Sequence, residues 1–185
     1  MLPDGANIPV TEENKHKYIQ LLAYARMATS IKDQLEAYLA GLHELVPHRL
    51  LKIFNEKELE VMISGQPTVD IQDLKNNTEL VNYIKTDQII IWLWEVLEEF
   101  DMELRTAFLQ FVTGSSRVPV DGFKELRGMN GPQRFNIQRE FQEERLPRAH
   151  TCFNQLDLPN YKSKEILIEK LTLAITEGKE GFGIL

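Results

Sequence analysis

The chain has 185 residues, enough for one ordinary domain or two small ones, with a core that needs no covalent staples. Its hydrophobic content of 43% and charged content of 26% fit a soluble globular protein, and a formal net charge of -7 argues against a nucleic-acid binder. The longest apolar run, Ile89 to Trp94, is far too short to span a bilayer, and Pro3, Asp4 and Gly5 directly after Leu2 do not resemble a signal peptide.

A single cysteine cannot form an internal disulfide, which fits a reducing, cytoplasmic or nuclear setting. Four histidines (His16, His43, His48, His150) and that cysteine have no paired ligand spacing, so neither a metal nor a cofactor is expected.

In chain order, residues 1–10 hold turn formers without periodicity. Thr11 before Glu12 and Glu13 predicts a capped helix start, and Tyr18, Leu21, Leu22 and Ala25 give it one apolar face. Ser30 is expected to cap a second helix (Ile31, Leu35, Tyr38, Leu39, Leu42, Leu45) that Pro47 stops, and these stripes read as core. Asn55 and Glu58 resemble a capping box for a helix closed by Gly65. Ser64-Gly65-Gln66-Pro67 is the best boundary in the chain, either a hinge or a plain loop.

Beyond it, Asp70 caps a short helix ended by Asn76-Asn77. Asp87 starts a helix that is apolar nearly all round and therefore central, and Asp101 starts another, closed by Gly114. Gly122, Gly128 and Asn130-Gly131-Pro132 are turn signals. Arg134 to Gln138 alternates as a strand, and His150 to Leu156 reads as a second strand carrying Cys152. Ser163 caps a last helix predicted to end at Gly178. Helices followed by a mixed unit make the class α+β.

A lone cysteine is ordinarily a small core hydrophobe. Three features argue otherwise for Cys152. Prolines (Pro147, Pro159) bracket its segment, the cationic or potentially cationic groups Arg145, Arg148 and His150 precede it, and Thr151 and Asn154 beside it are polar. Positive groups near a thiol favour its nucleophilic form. On a strand, His150 and Cys152 would share one face. A cysteine hydrolase would still need a base, an orienting group and an oxyanion hole, and the spacing marks none. Exchange between thioesters asks for less, since the leaving thiolate needs no strong acid. For attack by an amine in a second step, candidate bases are Asp157, Glu143, Glu144 and the carboxylate of Leu185.

Leu146-Pro147-Arg148-Ala149-His150-Thr151-Cys152-Phe153-Asn154-Gln155-Leu156-Asp157-Leu158-Pro159 closely resembles the active-site segment of HECT-type E3 ubiquitin ligases. Leu109 to Pro119, Ile8 to Asn14, Glu58 to Gly65 and the ending Gly181-Phe182-Gly183-Ile184-Leu185 match as well, in the family's order. The resemblance covers essentially the whole chain and is greatest to the very large HECT ligases ending in Gly-Phe-Gly.

It implies two lobes: residues 1–63 as the helical end of the N-lobe, 64–67 as the hinge, and 68–185 as the C-lobe. Cys152 would accept ubiquitin from an E2 enzyme as a thioester and pass it to a substrate lysine. His150, Thr151, Asp157 and Phe182 complete the candidate catalytic set, with Phe182 matching a phenylalanine that docks on the N-lobe and supports transfer. The strand before Cys152 would hold ubiquitin's extended tail by edge pairing. Ubiquitin, an E2 and a protein substrate are the implied partners, with neither nucleic acid nor membrane. Tyr18 and Leu22 fall at the edge of the E2 groove, whose other residues lie outside this sequence. The chain is therefore expected to be a piece of a longer ligase or a truncated protein with impaired E2 binding and an exposed first-lobe surface. The alternative reading is a non-catalytic module that binds ubiquitin or an E2.

Overall fold

The first 55 residues form one helical unit of the computed structural model, which describes residues 5–181, the side chains of 179–181 excepted. A 3-10 turn at Gly5–Asn7 leads to α1 (Lys15–Met27), and a second at Thr29–Ile31 leads to α2 (Lys32–Leu45) and the single-turn α3 (His48–Leu51). Two expected caps are absent. The Thr11 amide donates to Asn14 Oδ1 at 2.8 Å, so residues 11–14 form a turn and the helix begins at Lys15. Ser30 donates its hydroxyl to the Arg26 carbonyl at 2.7 Å, so it closes α1 instead of opening α2. The hydroxyl is turned back toward the preceding helix, and neither the Thr29–Ile31 turn nor α2 receives a side-chain cap bond.

None of the described residues of this unit is buried, and Tyr24, Met27, Tyr38 and Leu45 stand out in the open. The stripes expected to be core are therefore at most half-buried: Leu21, Leu22, Ala25 and Leu42 are partly covered, and the rest are exposed. Three short helices supply no second layer to cover them.

The second unit runs from Glu56 onward. It opens with α4 (Glu56–Ser64), whose carbonyl at Val61 accepts from the amide of Gly65 in a left-handed conformation (φ 85°). An ideal Cβ on Gly65 would lie 2.4 Å from the Val118 carbonyl oxygen, so only glycine fits. Then follow α5 (Ile71–Asn76), β1 (Thr78–Val81), α6 (Gln88–Glu99), α7 (Met102–Thr113), the small hairpin β2 (Arg127–Gly128) and β3 (Gly131–Pro132), β4 (Phe135–Glu140), β5 (Arg148–His150), β6 (Gln155–Pro159) and α8 (Lys164–Gly181). Asp70 and Asp101 cap as expected, accepting from Gln72 and Asp73 and from Leu104 respectively. Asp87 stands at the start of α6, but its carboxylate turns back to the Ile84 amide at 2.8 Å.

The sheet has the order β1-β4-β6-β5, with β1, β4 and β6 parallel and β5 antiparallel to β6. Ile137 is registered between Leu80 and Leu156 at its centre. Against it packs a core that includes Leu93, Leu97, Phe108, Phe135, Ile137, Leu156, Leu167, Leu171 and Ile175, each fully buried. Such burial contributes roughly 1.5–3 kcal/mol per large side chain. The predicted central helix is confirmed: Ile89, Ile90, Leu93, Trp94, Val96 and Leu97 of α6 are all buried. Its exposed Glu95 and Glu99 each hold Lys164 at 2.9 Å, fastening the start of α8.

One strand was not anticipated, and one further expectation is corrected. The strand β1 was hidden because four residues carry too little alternation to distinguish a strand from a loop. The last helix passes through Gly178 and continues to Gly181. At Gly178 a Cβ would lie 2.8 Å from the Phe111 ring, so this glycine serves a close helix crossing and not a helix end.

Candidate active site

The predicted strand from His150 to Leu156 is broken in the middle. Residues Arg148–His150 form β5, Thr151–Phe153 make one 3-10 turn, and Gln155–Pro159 form β6, paired back on β5 through His150↔Gln155. The reversal turns on Asn154, whose backbone is left-handed (φ 49°, ψ 41°), a conformation that asparagine tolerates better than most residues. Cys152 therefore sits at the tip of a tight hairpin, exposed to solvent.

Backbone atoms of this turn are fastened from beneath. The Cys152 carbonyl accepts from the Met129 amide at 2.9 Å, and the Asn154 carbonyl accepts from the Asn136 amide at 3.0 Å. The Asn136 side chain donates to the Phe153 carbonyl at 3.0 Å. The carboxamide of Asn154, itself buried, donates to the carbonyls of Arg127 (3.1 Å) and Gln133 (2.8 Å). Gly128 leaves the gap into which Cys152 presses: a Cβ there would lie 2.5 Å from the Cys152 carbonyl oxygen. Thr151 rests on Gly114 at the left-handed end of α7, with 3.6 Å between its Cβ and the position a Gly114 Cβ would take. Sequence reasoning treated Gly128 as a turn former and Asn154 only as an oddly polar neighbour, and it overlooked Asn136 and Met129. Asn154, a residue suited to the left-handed region just before an apolar strand, was the available signal.

The remaining predicted residues are distributed unevenly. His150 Nε2 lies 2.8 Å from Asp157 Oδ2, and Gln155 donates to the other carboxylate oxygen at 2.6 Å. This corrects the expectation of His150 and Cys152 side by side on one strand face. With Cys152 in the turn, that alternation stops at His150, and among the described residues no hydrogen bond joins the imidazole to the thiol. The arrangement of a cysteine hydrolase is thus not assembled. Of the expected cations, Arg145 faces Glu140 at 3.7 Å, while Arg148 remains exposed on β5. Glu143 is directed to Lys162 at 3.9 Å and Glu144 is exposed, while Asp157 is the candidate base that lies, among the described residues, within the cysteine hairpin. Phe182 and Leu185 lie outside the described residues.

A model of the HECT-domain (ubiquitin-transferase) family matches residues 1–185, the entire chain. The chain belongs to the HECT-domain family. Among curated relatives, it is 53% identical over 184 residues to the E3 ubiquitin-protein ligase TOM1-like of Neurospora crassa, which covers 99% of this chain and 4% of that protein. It is 54% identical over 182 residues to the E3 ubiquitin-protein ligase UPL2 of Arabidopsis thaliana (98% of this chain, 5% of the relative). It is 55% identical over 183 residues to the E3 ubiquitin-protein ligase HUWE1 of Mus musculus (98% and 4%). The chain thus spans about one twentieth of the length of these relatives. Within this HECT sequence, the α+β class expected from the residues is the fold observed. Among the described residues, no helix is long and apolar enough to cross a membrane.

Proposed function

We propose that this chain is the ubiquitin-transferring part of a HECT-type E3 ligase, with Cys152 as the nucleophile. The observation that carries the proposal is an exposed sole cysteine at the tip of a hairpin whose backbone is held on several sides, in a chain matched end to end by the HECT family. In the first step, the Cys152 sulfur attacks the carbonyl that joins ubiquitin's C-terminus to the E2 cysteine. A new C–S bond forms, the old one breaks, and the E2 departs as a thiolate. In the second, a substrate lysine amine attacks the Cys152 thioester. An amide forms, the Cys152 thiolate leaves, and the amine gives up a proton to a base. Asp157, held by His150 and Gln155 in the same hairpin, is the candidate for that base.

Among the described residues β5 is an edge strand paired only to β6, which supports edge pairing with an extended ubiquitin tail next to the cysteine. Thr151, wedged on the end of α7, orients the turn. In line with the family resemblance, Phe182 supports the second step and Ser64 to Pro67 serves as the hinge. A reducing cytoplasmic or nuclear setting keeps the thiol free.

The test is incubation with E1, an E2, ubiquitin and ATP, followed by gels with and without reductant. A reductant-sensitive ubiquitin adduct that disappears in Cys152→Ala is expected. Ubiquitin binding without an adduct would instead favour the non-catalytic module.

A further inference from the structure

We propose that Asn154 is a positioning residue for the transfer reaction, its buried carboxamide locking the cysteine turn onto the hairpin of β2 and β3. The inference rests on Cys152 as the nucleophile but concerns what aims it. A single 3-10 turn has little stiffness of its own, because it closes only one weak ring of hydrogen bonds. Here the stiffness is imported. The Asn154 Nδ2 group reaches two carbonyls on either side of the β2–β3 hairpin, Arg127 at 3.1 Å and Gln133 at 2.8 Å, and so clamps both of its limbs. That hairpin in turn presents the Met129 amide to the Cys152 carbonyl at 2.9 Å. The chain of contacts therefore runs from Asn154 through the hairpin to the peptide unit of the nucleophile itself.

Two features show that this position is not filled for stability alone. Asn154 is the one non-glycine in the turn with a positive φ, and its buried Oδ1 has no hydrogen-bond partner among the described residues. A left-handed residue with an orphaned buried oxygen is a double penalty, of the kind that persists where the local geometry matters for function. Glycine would relieve both penalties yet lose the clamp. Aspartate would keep the shape but set a carboxylate against two carbonyl oxygens. Asparagine alone combines tolerance of the left-handed backbone with two donors at this depth.

The test compares wild type with Asn154→Gly, which accommodates the left-handed backbone and removes the carboxamide that makes the clamp. Three rates are measured on the full chain: exchange of the Met129 amide hydrogen, alkylation of Cys152 by iodoacetamide, and loading of Cys152 from ubiquitin carried as the thioester of mercaptoethanesulfonate. A positioning role predicts Met129 exchange about tenfold faster, alkylation within about twofold of wild type because the thiol stays exposed, and loading down by roughly ten- to a hundredfold because the sulfur is no longer aimed. Loading at the wild-type rate overturns the proposal. So does unchanged Met129 exchange, and so does a variant unfolded at the assay temperature, since Asn154 would then hold the whole fold. If wild type itself fails to load, the assignment of Cys152 as nucleophile fails, while the exchange measurement still decides the clamp.

Discussion

Replacing Gly128 by alanine perturbs the cysteine turn at a single point. The new Cβ would stand 2.5 Å from the Cys152 carbonyl oxygen and 3.0 and 3.1 Å from Gln133 Cβ and Cγ. The nearest of these is a backbone atom that cannot swing away, so the hairpin and the turn must separate by roughly 1 Å to restore ordinary contact. That separation stretches the Met129-to-Cys152 hydrogen bond, now 2.9 Å, beyond useful length. Overpacking of this kind costs about 1–3 kcal/mol, and the lost bond about 1 kcal/mol more. The expected loss of roughly 2–4 kcal/mol corresponds to a melting temperature lower by some 5–15 °C for a unit of this size. The same displacement moves the sulfur, for which roughly a hundredfold slower ubiquitin loading is expected. Thermal unfolding by circular dichroism and single-turnover loading measure the two effects. A variant with wild-type melting and wild-type loading would refute the claim that Gly128 seats the cysteine turn.

For Phe182→Ala, the Cys152 thioester should form at the wild-type rate while ligation to lysine falls by about tenfold or more, read from separate loading and discharge gels; equal loss of both steps would remove the proposed role of the tail. Ala149→Pro takes an amide from β5 and should lower loading by roughly tenfold if ubiquitin's tail pairs there, whereas unchanged loading would exclude edge pairing. Burial pushes the Tyr83 hydroxyl up to about 12 from its ordinary 10.0, the Arg139 guanidinium working against this and the carboxylates of Asp87 and Glu143 adding to it. Tyr161 is raised further by its burial. A folded state that keeps these phenols neutral loses no stability below pH 10. Between about pH 10 and 12 the unfolded chain releases protons that the folded chain retains, so stability falls as pH rises. Tyr83→Phe should flatten part of that fall in an alkaline unfolding series, and an unchanged slope would contradict it.

The sequence was most legible where a local residue does a local job. Asp70, Asp101, Gly65 and Gly114 mark helix ends because their side chains or left-handed backbones act within a few residues of where they stand. The errors arise where another contact, long-range at Gly178 and local at Ser30, overrides the expected signal. Gly178 looked like a stop and is a packing notch for Phe111. Ser30 looked like a start and bonds backward to Arg26. Cys152 was legible as a candidate nucleophile, but its setting was not. A strand from His150 to Leu156 satisfies the alternation, and only the reversal at Asn154, held by Arg127 and Gln133 from a distant hairpin, converts it into an exposed tip. The first unit shows the same limit, since its apolar stripes predict burial and the partner layer is not among its own residues.

The central claim is that Cys152 carries ubiquitin as a thioester. It is tested most directly by offering the chain two donors, an E2 charged with ubiquitin and the ubiquitin thioester of mercaptoethanesulfonate, which needs no E2. The account predicts a reductant-sensitive adduct on the wild-type chain with at least the second donor, none with Cys152→Ala, and with Cys152→Ser an ester adduct that survives reductant. An adduct that persists in Cys152→Ala, or a folded wild-type chain that loads from neither donor, would contradict it.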